Sequence, residues 1–211
     1  MNRVLFVLAF CILVNCIDNK SSGKSLTNSI SPEMNTITHV NDTVNSLSIN
    51  TDKSIVKWKG TKLMHTGKHE GTVNFKSGKI MFSNGNIIGG EFVVDMTSIY
   101  NTDMPLSEPI PRKNITTHLN KDFETRIFPI ATFTITHVKE NTPRAYLVTG
   151  DMIIKGISKP IIITLKEIER EKEYFSTFTF NRFLWKIGES GSWLEKKLVD
   201  EDITLQVKVV L

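Results

Sequence analysis

Histidine is the side chain in this sequence best suited to metal binding or to proton transfer near neutral pH. His65 and His69 are four residues apart, so both imidazoles lie on the same face if the intervening chain is a regular strand. A catalytic zinc site needs a third protein ligand. His118 or His137 supplies one only if the fold brings it close. This pattern leaves open a secreted hydrolase, metal-dependent or metal-free, that uses His65, His69 and His118.

Other catalytic signatures are weak. The two cysteines, Cys11 and Cys16, both lie near the N-terminus, so the rest of the sequence has neither a disulfide framework nor a catalytic thiol. Residues 188–192 approach the G-x-S-x-G nucleophile motif, but the last position is serine and no strand-to-helix setting surrounds it. We therefore predict that the protein is not an enzyme, and we expect no catalytic residue, metal or cofactor.

The charges favour no nucleic-acid partner. The 26 Lys and Arg residues and the 22 Asp and Glu residues give a formal charge of +4, and the basic residues are scattered rather than gathered into a stripe. Arg112, Lys113 and Arg182 are candidates for contact with a phosphate headgroup. Surface charge is the interpretation that we favour for each of them.

The N-terminus has the pattern of a secretory leader. Arg3 precedes an apolar run from Val4 to Val14, which is shorter than the roughly 20 residues that span a bilayer and is typical of a signal peptide. Residues 13–16 then resemble the lipobox of bacterial lipoproteins, except that Asn15 stands where Gly, Ala or Ser is usual. We predict a signal peptide over residues 1–15 and lipidation of Cys16.

The next segment, residues 16–48, is rich in Ser, Asn, Thr and Lys and has few apolar anchors. Such a composition buries too little surface to order itself. The sequence predicts a flexible tether there, followed by a folded domain over residues 49–211.

The folded part has the two-residue period of β-strands. Apolar residues alternate with mostly polar ones along the C-terminal segment from Ile203 to Leu211. Turn signals at Ser77–Gly78, Asn84–Gly85, residues 141–143 and Lys155–Gly156 separate the alternating runs. Many short strands at this spacing predict an all-β antiparallel sandwich or barrel.

One region departs from the strand period. Ile115, Leu119 and Phe123 recur every four residues, which is the spacing of one helix face. We predict a short helical insert near residues 113–124.

The apolar faces of the strands carry many large aromatic residues. Aromatic residues at strand period usually fill a core, yet an eight-stranded barrel is just wide enough to hold one small ligand instead of side chains. Periodicity alone cannot separate a filled barrel from a hollow one.

Six segments, in order, resemble conserved blocks of the YceI-like family of polyisoprenoid-binding, lipocalin-like barrels. The similarity covers about residues 51–211. The six segments are Asp52–Trp58, His69–Phe75, Gly90–Ile99, His118–Phe123, Phe128–Phe133 and Gly150–Pro160. The last block of the chain, from Phe180 to Asp202, resembles the lipoprotein-type branch of the family.

The resemblance implies an antiparallel lipocalin-like β-barrel of about eight strands that holds a long isoprenoid lipid of polyprenyl or quinone type, for storage, transport or stress protection. It implies no enzymatic activity. The expected partners are this lipid, a membrane reached through the N-terminal lipid anchor, and a second copy in a homodimer.

The expected location is the periplasm or the outer membrane of a Gram-negative bacterium. The alternative function is that of a surface lipoprotein whose filled barrel has only a structural role. The expected pocket residues are Phe75, Phe82, Phe92, Val94, Met96, Ile99, Leu119, Phe123, Phe133, Ile135, Phe178, Phe180 and Trp185.

Overall fold

The computed structural model describes residues 43–62, 67–168, 172–189 and 199–211. The predicted signal peptide, Cys16, most of the predicted tether and His65 lie outside these residues. The elements, in chain order, are β1 (Val44–Ser48), β2 (Ile55–Lys62), β3 (Lys68–Ser83), β4 (Asn86–Asn101), α1 (Pro109–Asp122), β5 (Ile130–Thr142), β6 (Ala145–Ile154), β7 (Ile157–Ile168), β8 (Glu173–Asn181), a 3₁₀ helix (Arg182–Trp185) and β9 (Val199–Val210).

Eight strands close into an antiparallel barrel. The sheet order is β3-β2-β9-β8-β7-β6-β5-β4, and β4 returns to β3 to complete the circle. The C-terminal strand β9 lies between β2 and β8, so the two ends of the domain are neighbours in the sheet. This architecture confirms the predicted antiparallel barrel of about eight strands.

Tight turns with left-handed residues join several strands. Asn84 and Gly85, between β3 and β4, have φ values of 51° and 82°. Lys155 and Gly156, between β6 and β7, have φ values of 52° and 72°. Two successive positive φ values are the mark of the type I′ turn, whose twist matches that of the strands it joins.

The turn predicted at Ser77–Gly78 is wrong, because both residues lie inside β3. The pairing of β3 with β4 shifts between Phe75 and Ser77, so the local irregularity is a β-bulge rather than a chain reversal. A Cβ on Gly78 would lie 2.9 Å from the ring of Phe92. The glycine therefore makes room for an aromatic ring on the neighbouring strand.

The ordered sheet begins before the predicted domain start at Ile49. Residues Val44–Ser48, which the sequence assigned to the tether, form β1 and pair with residues 79–83 of β3. All five β1 residues are exposed, so hydrogen bonds to β3 rather than side-chain burial hold this strand.

The helix α1 confirms the predicted insert and extends it by one turn at its N-terminus. Pro109 and Pro111 stand in its first turn, where their missing N–H groups cost no hydrogen bond. It ends at Asp122, and Phe123 follows as the C-cap, with its N–H bonded to the carbonyl of Leu119. Within the described part of the chain, no helix has the length and apolar content required to cross a membrane.

The barrel has two distinct ends. We call the end that carries α1, the β6–β7 turn and the 3₁₀ helix the helical end. The end that carries the Asn84–Gly85 turn, and near which β9 finishes, is the turn end. At the turn end, the hydroxyl of Ser54 accepts a hydrogen bond from the N–H of Val210, with 2.9 Å between oxygen and nitrogen.

Candidate functional site inside the barrel

An apolar cavity lies inside the barrel. The volume inside it that is open to water-sized molecules is about 140 Å³. The total space between the lining atoms is about 1070 Å³, a figure that includes the solvent at the opening. The interior is therefore neither hollow throughout nor packed without voids. The lining residues are Val56, Val73, Phe75, Ile80, Phe92, Val94, Met96, Ile99, Phe123, Ala131, Thr132, Phe133, Ile135, Val148, Met152, Ile154, Ile161, Ile163, Leu165, Tyr174, Ser176, Phe178, Phe180, Ile203, Leu205, Val207 and Val209.

Most of the expected pocket residues lie on this lining. Phe82, Leu119 and Trp185 do not: Phe82 and Leu119 are partly buried and pack against the core, and Trp185 is buried in the 3₁₀ helix. The expected residues that do line the cavity are Phe75, Phe92, Val94, Met96, Ile99, Phe123, Phe133, Ile135, Phe178 and Phe180.

The sequence interpretation overlooked the aliphatic half of the lining. The expected pocket residues were mostly aromatic, and their few aliphatic members came from β4, α1 and β5, whereas β6, β7 and β9 contribute mainly aliphatic side chains. The same two-residue alternation identifies them, because every second residue of a barrel strand faces inward. The clearest cases are Val148, Met152, Ile161, Ile163, Leu205 and Val207.

Three phenylalanines on neighbouring strands pack in a row on the cavity lining. The ring centroids of Phe75 and Phe92 are 6.1 Å apart, and those of Phe92 and Phe133 are 6.5 Å apart. A Cβ on Gly150 would lie 2.5 Å from the ring of Phe133. The missing side chain of Gly150 therefore leaves the room that the Phe133 ring occupies.

Aromatic side chains close the helical end. Trp185 is 1% exposed, its indole N–H donates to the carbonyl of Met152, and its ring packs edge-on against Phe180 at 5.2 Å. Phe123, at the end of α1, lines the cavity from the same end.

Lys155 ties these closing elements together from the β6–β7 turn. Its ammonium lies 2.6 Å from Glu124 Oε1 and donates to the carbonyls of Asp122 and Lys186. The end of α1, the turn and the end of the 3₁₀ helix therefore share one cation.

The sequence interpretation of Arg182 as a surface charge is wrong. Arg182 is 5% exposed, and its guanidinium donates to the carbonyls of Asp200, Ile187 and Val199. Burial lowers the pKa of Arg182, while the negative charge of Asp122 works in the opposite direction. Its role is to bind backbone on both sides of residues 188–198.

The other two candidate headgroup cations lie on α1, outside the cavity lining. The Arg112 guanidinium lies 5.3 Å from the ring centroid of Tyr100 and donates to its hydroxyl. Lys113 is exposed.

The described histidines of the hydrolase alternative contact two separate carboxylates. His69 Nδ1 lies 3.1 Å from Asp103 Oδ2, and His118 Nε2 lies 3.3 Å from Asp122 Oδ2. In the part of the chain that the structure describes, no three His, Cys, Asp or Glu side chains group as a metal site. Burial raises the pKa of the Asp122 carboxyl, with His118 and Arg182 opposing the rise.

Two tyrosines mark the turn end of the interior. The Tyr146 hydroxyl donates to Glu167 Oε2 at 3.2 Å, and Tyr174 lines the cavity. Burial, then the charge of Glu167, raises the pKa of Tyr174 to about 12, and burial also raises the pKa of Tyr146. Both phenols are therefore neutral at physiological pH.

The barrel wall has a seam between β7 and β8. Their pairing covers only Lys166–Ile168 with Glu173–Phe175. Beyond it, towards the helical end, residues 157–165 of β7 and residues 176–181 of β8 have no pairing with each other. The seam therefore separates two strands that both contribute to the lining.

Comparison with known proteins identifies the family. Residues 47–211 match the family model described as the YceI-like domain. The chain belongs to the YceI-like family. YceI-like proteins are binding proteins with barrel folds, known for polyisoprenoid binding. A search of curated proteins gave no match.

Solved structures share the fold. Burkholderia cenocepacia BcnA is similar with a TM-score of 0.64 and 18% identity, over 77% of this chain and 99% of that one. A mutant of the Campylobacter jejuni YceI protein, solved with monobromobimane as a guest, is similar with a TM-score of 0.52 and 21% identity, over 66% of this chain and 82% of that one. At these identities the likeness shows the fold alone.

Proposed function

We propose that this protein binds a long isoprenoid lipid, of polyprenyl or quinone type, inside its barrel for storage, transport or stress protection. The observation that carries the proposal is the cavity, whose described lining consists mostly of hydrocarbon side chains and includes no charged residue. Family membership supports it independently.

The lining supplies the driving force that such a ligand requires. Moving an isoprenoid chain out of water contributes roughly 0.8 kcal/mol for each CH₂ group buried. An apolar wall with few polar groups gains this energy without selecting one orientation of the chain.

The cavity must widen to hold a long chain. Its free volume of about 140 Å³ is smaller than the roughly 300–1,000 Å³ of typical ligand pockets. Phe92 and Phe133 both line the cavity, with ring centroids 6.5 Å apart, so rotation of their rings changes the free volume. Binding therefore includes a rearrangement of aromatic side chains.

Filling the cavity tests the proposal. Ala131 is buried and lines the cavity on β5, so Ala131→Phe places a ring inside the space that the lipid would occupy. Thr134 is exposed on the same strand, and Thr134→Phe is the matched control on the outer face. Each protein is purified from a bacterial host, extracted with organic solvent and analysed by mass spectrometry, with its unfolding midpoint measured in parallel.

We expect stoichiometric isoprenoid lipid in the wild-type protein and in Thr134→Phe, and at least tenfold less in a folded Ala131→Phe. Wild-type protein without extractable lipid, or equal lipid in all three proteins, contradicts the proposal.

We also propose that the chain is exported to the periplasm and held at a membrane by lipid on Cys16. The support is the apolar run before Cys16 and its resemblance to a lipobox. In cells fed a labelled fatty acid, we expect the wild-type chain to carry label and Cys16→Ala to carry none, with Cys11→Ala labelled as the control. Equal labelling of wild-type protein and Cys16→Ala contradicts the anchor.

A further inference from the structure

Ser176 is an anomaly in the wall of the cavity. It is 5% exposed, it lines the cavity on β8, and its hydroxyl has no hydrogen-bond partner among the described residues. Its inward neighbours along β8 are Tyr174 and Phe178, and Val207 lies opposite it on β9. A buried hydroxyl without a partner is costly, so a polar group supplied from inside the cavity would stabilise it.

The position of Ser176 in the sheet is a second observation. The pairing of β7 with β8 ends with Lys166 opposite Phe175. The next residue of each strand, Leu165 and Ser176, lines the cavity, and from this point the seam runs towards the helical end. The unpartnered hydroxyl therefore lies at the point where the pairing of β7 with β8 ends.

We propose that Ser176 is a polar subsite that hydrogen-bonds an oxygen of the bound lipid, at the point where β7 and β8 separate. The inference rests on the proposed lipid-binding function and deepens it by naming the class of ligand. The ligand is an isoprenoid that carries a hydroxyl or carbonyl oxygen, not a pure hydrocarbon.

This subsite also gives the ligand a direction. Ser176 is three residues from the start of β8, so it lies near the turn end of the barrel. At the helical end, Phe123 lines the cavity with an apolar ring, and the indole N–H of Trp185, which lies outside the lining, is already bonded to the carbonyl of Met152. The oxygen-bearing end of the lipid points to the turn end, and the hydrocarbon tail points to the helical end.

The neutral charge state of the surroundings restricts the ligand further. Tyr174, the next inward residue, stays protonated because burial raises its pKa to about 12. No lysine, arginine or histidine is among the described lining residues. A neutral oxygen function fits this environment better than a phosphate.

A pair of probes that differ only by the hydroxyl tests the subsite. Farnesol and the hydrocarbon with hydrogen in place of its hydroxyl compete against an apolar fluorescent dye (N-phenylnaphthylamine) for the full chain stripped of lipid. The proteins are wild type, Ser176→Ala and Thr177→Val. Thr177 is the next residue of β8 and is exposed, so its variant removes a hydroxyl from the same strand outside the cavity.

We expect Ser176→Ala to weaken farnesol binding about fivefold, the size of one hydrogen bond between neutral groups, and to leave hydrocarbon binding unchanged. Thr177→Val should change neither. Without ligand, Ser176→Ala should unfold at the same or a higher temperature than the wild-type protein, since the variant removes an unpartnered group.

The outcomes separate the two proposals. A wild-type protein that binds neither probe overturns lipid binding and the subsite together. A wild-type protein that binds both probes, with a Ser176→Ala variant that loses neither or loses both equally, overturns the subsite alone. In that case the hydroxyl is satisfied by water or has a structural role.

Discussion

Gly150 shapes the cavity through the side chain that it lacks. A Cβ at this position would lie 2.5 Å from the Phe133 ring and 2.6 Å from the carbonyl oxygen of Thr134. We expect Gly150→Ala to lower the free energy of unfolding by about 1–3 kcal/mol, because the backbone contact cannot relax by a change of rotamer. Urea denaturation measures the change.

Gly60 provides the control, since a Cβ there would meet nothing within 4 Å. Gly60→Ala, also in a strand, should change the free energy of unfolding by no more than about 0.5 kcal/mol. Similar losses in both variants would show that strand flexibility, rather than contact with Phe133, sets the cost.

The pH dependence of stability includes a contribution from Asp122. Burial raises the pKa of this carboxyl in the folded protein, so folding favours its protonated form. Its contribution to stability is fully present below the unfolded pKa of about 3.9 and is lost as pH rises through the higher folded pKa. We expect Asp122→Asn to gain stability relative to wild type as pH rises from about 3 to 7.

Urea denaturation at both pH values measures this difference. Asp52→Asn, which removes an exposed carboxylate from the turn before β2, controls for the lost negative charge. A gain that does not change with pH, or that appears equally in Asp52→Asn, would exclude this role for Asp122.

At the scale of elements, the 3₁₀ helix and the start of β9 depend on one guanidinium. Arg182 donates to three backbone carbonyls that belong to Ile187, Val199 and Asp200. Arg182→Met keeps the apolar stem but removes the donors, and we expect a loss of about 2–3 kcal/mol in the free energy of unfolding. Arg126→Met removes an exposed arginine after α1 and should cost less than about 0.5 kcal/mol.

Thermal and urea unfolding of the two methionine variants decides the matter. Wild-type stability in Arg182→Met would mean that the carbonyls find other partners when the guanidinium is gone. Equal losses in both variants would assign the effect to net charge, because each substitution removes one positive charge.

The sequence predicted helices and turns correctly where a single local pattern determines them. The fourfold spacing of Ile115, Leu119 and Phe123 predicted α1, and the Asn84–Gly85 pair predicted a turn, which the structure forms with positive φ values. Ser77–Gly78 looked the same in sequence, yet its glycine makes room for Phe92 on another strand. The buried position of Arg182 was equally unpredictable, because two of the three carbonyls that it binds, those of Val199 and Asp200, lie 17 and 18 residues away in the sequence.

At the scale of the whole molecule, two-residue alternation predicted an antiparallel sandwich or barrel, and the family resemblance selected the barrel. The alternation could not show whether the interior is filled, since an inward phenylalanine satisfies the same pattern in a core and in a cavity wall. The seam could not be predicted from the sequence either. The burial of side chains alternates along β7 and β8, yet the two strands pair over only three residues each. Cavity shape depends on how strands diverge, and local sequence does not encode that distance.

The position of β9 between β2 and β8 determines when the barrel can close during synthesis of the chain. Val210 meets Ser54 across 156 residues of sequence, and β9 completes the contacts of both β2 and β8. Contacts so distant in sequence form late and slow folding. A growing chain cannot close its barrel until β9 has been synthesised, and a chain without β9 leaves the edges of β2 and β8 open to aggregation.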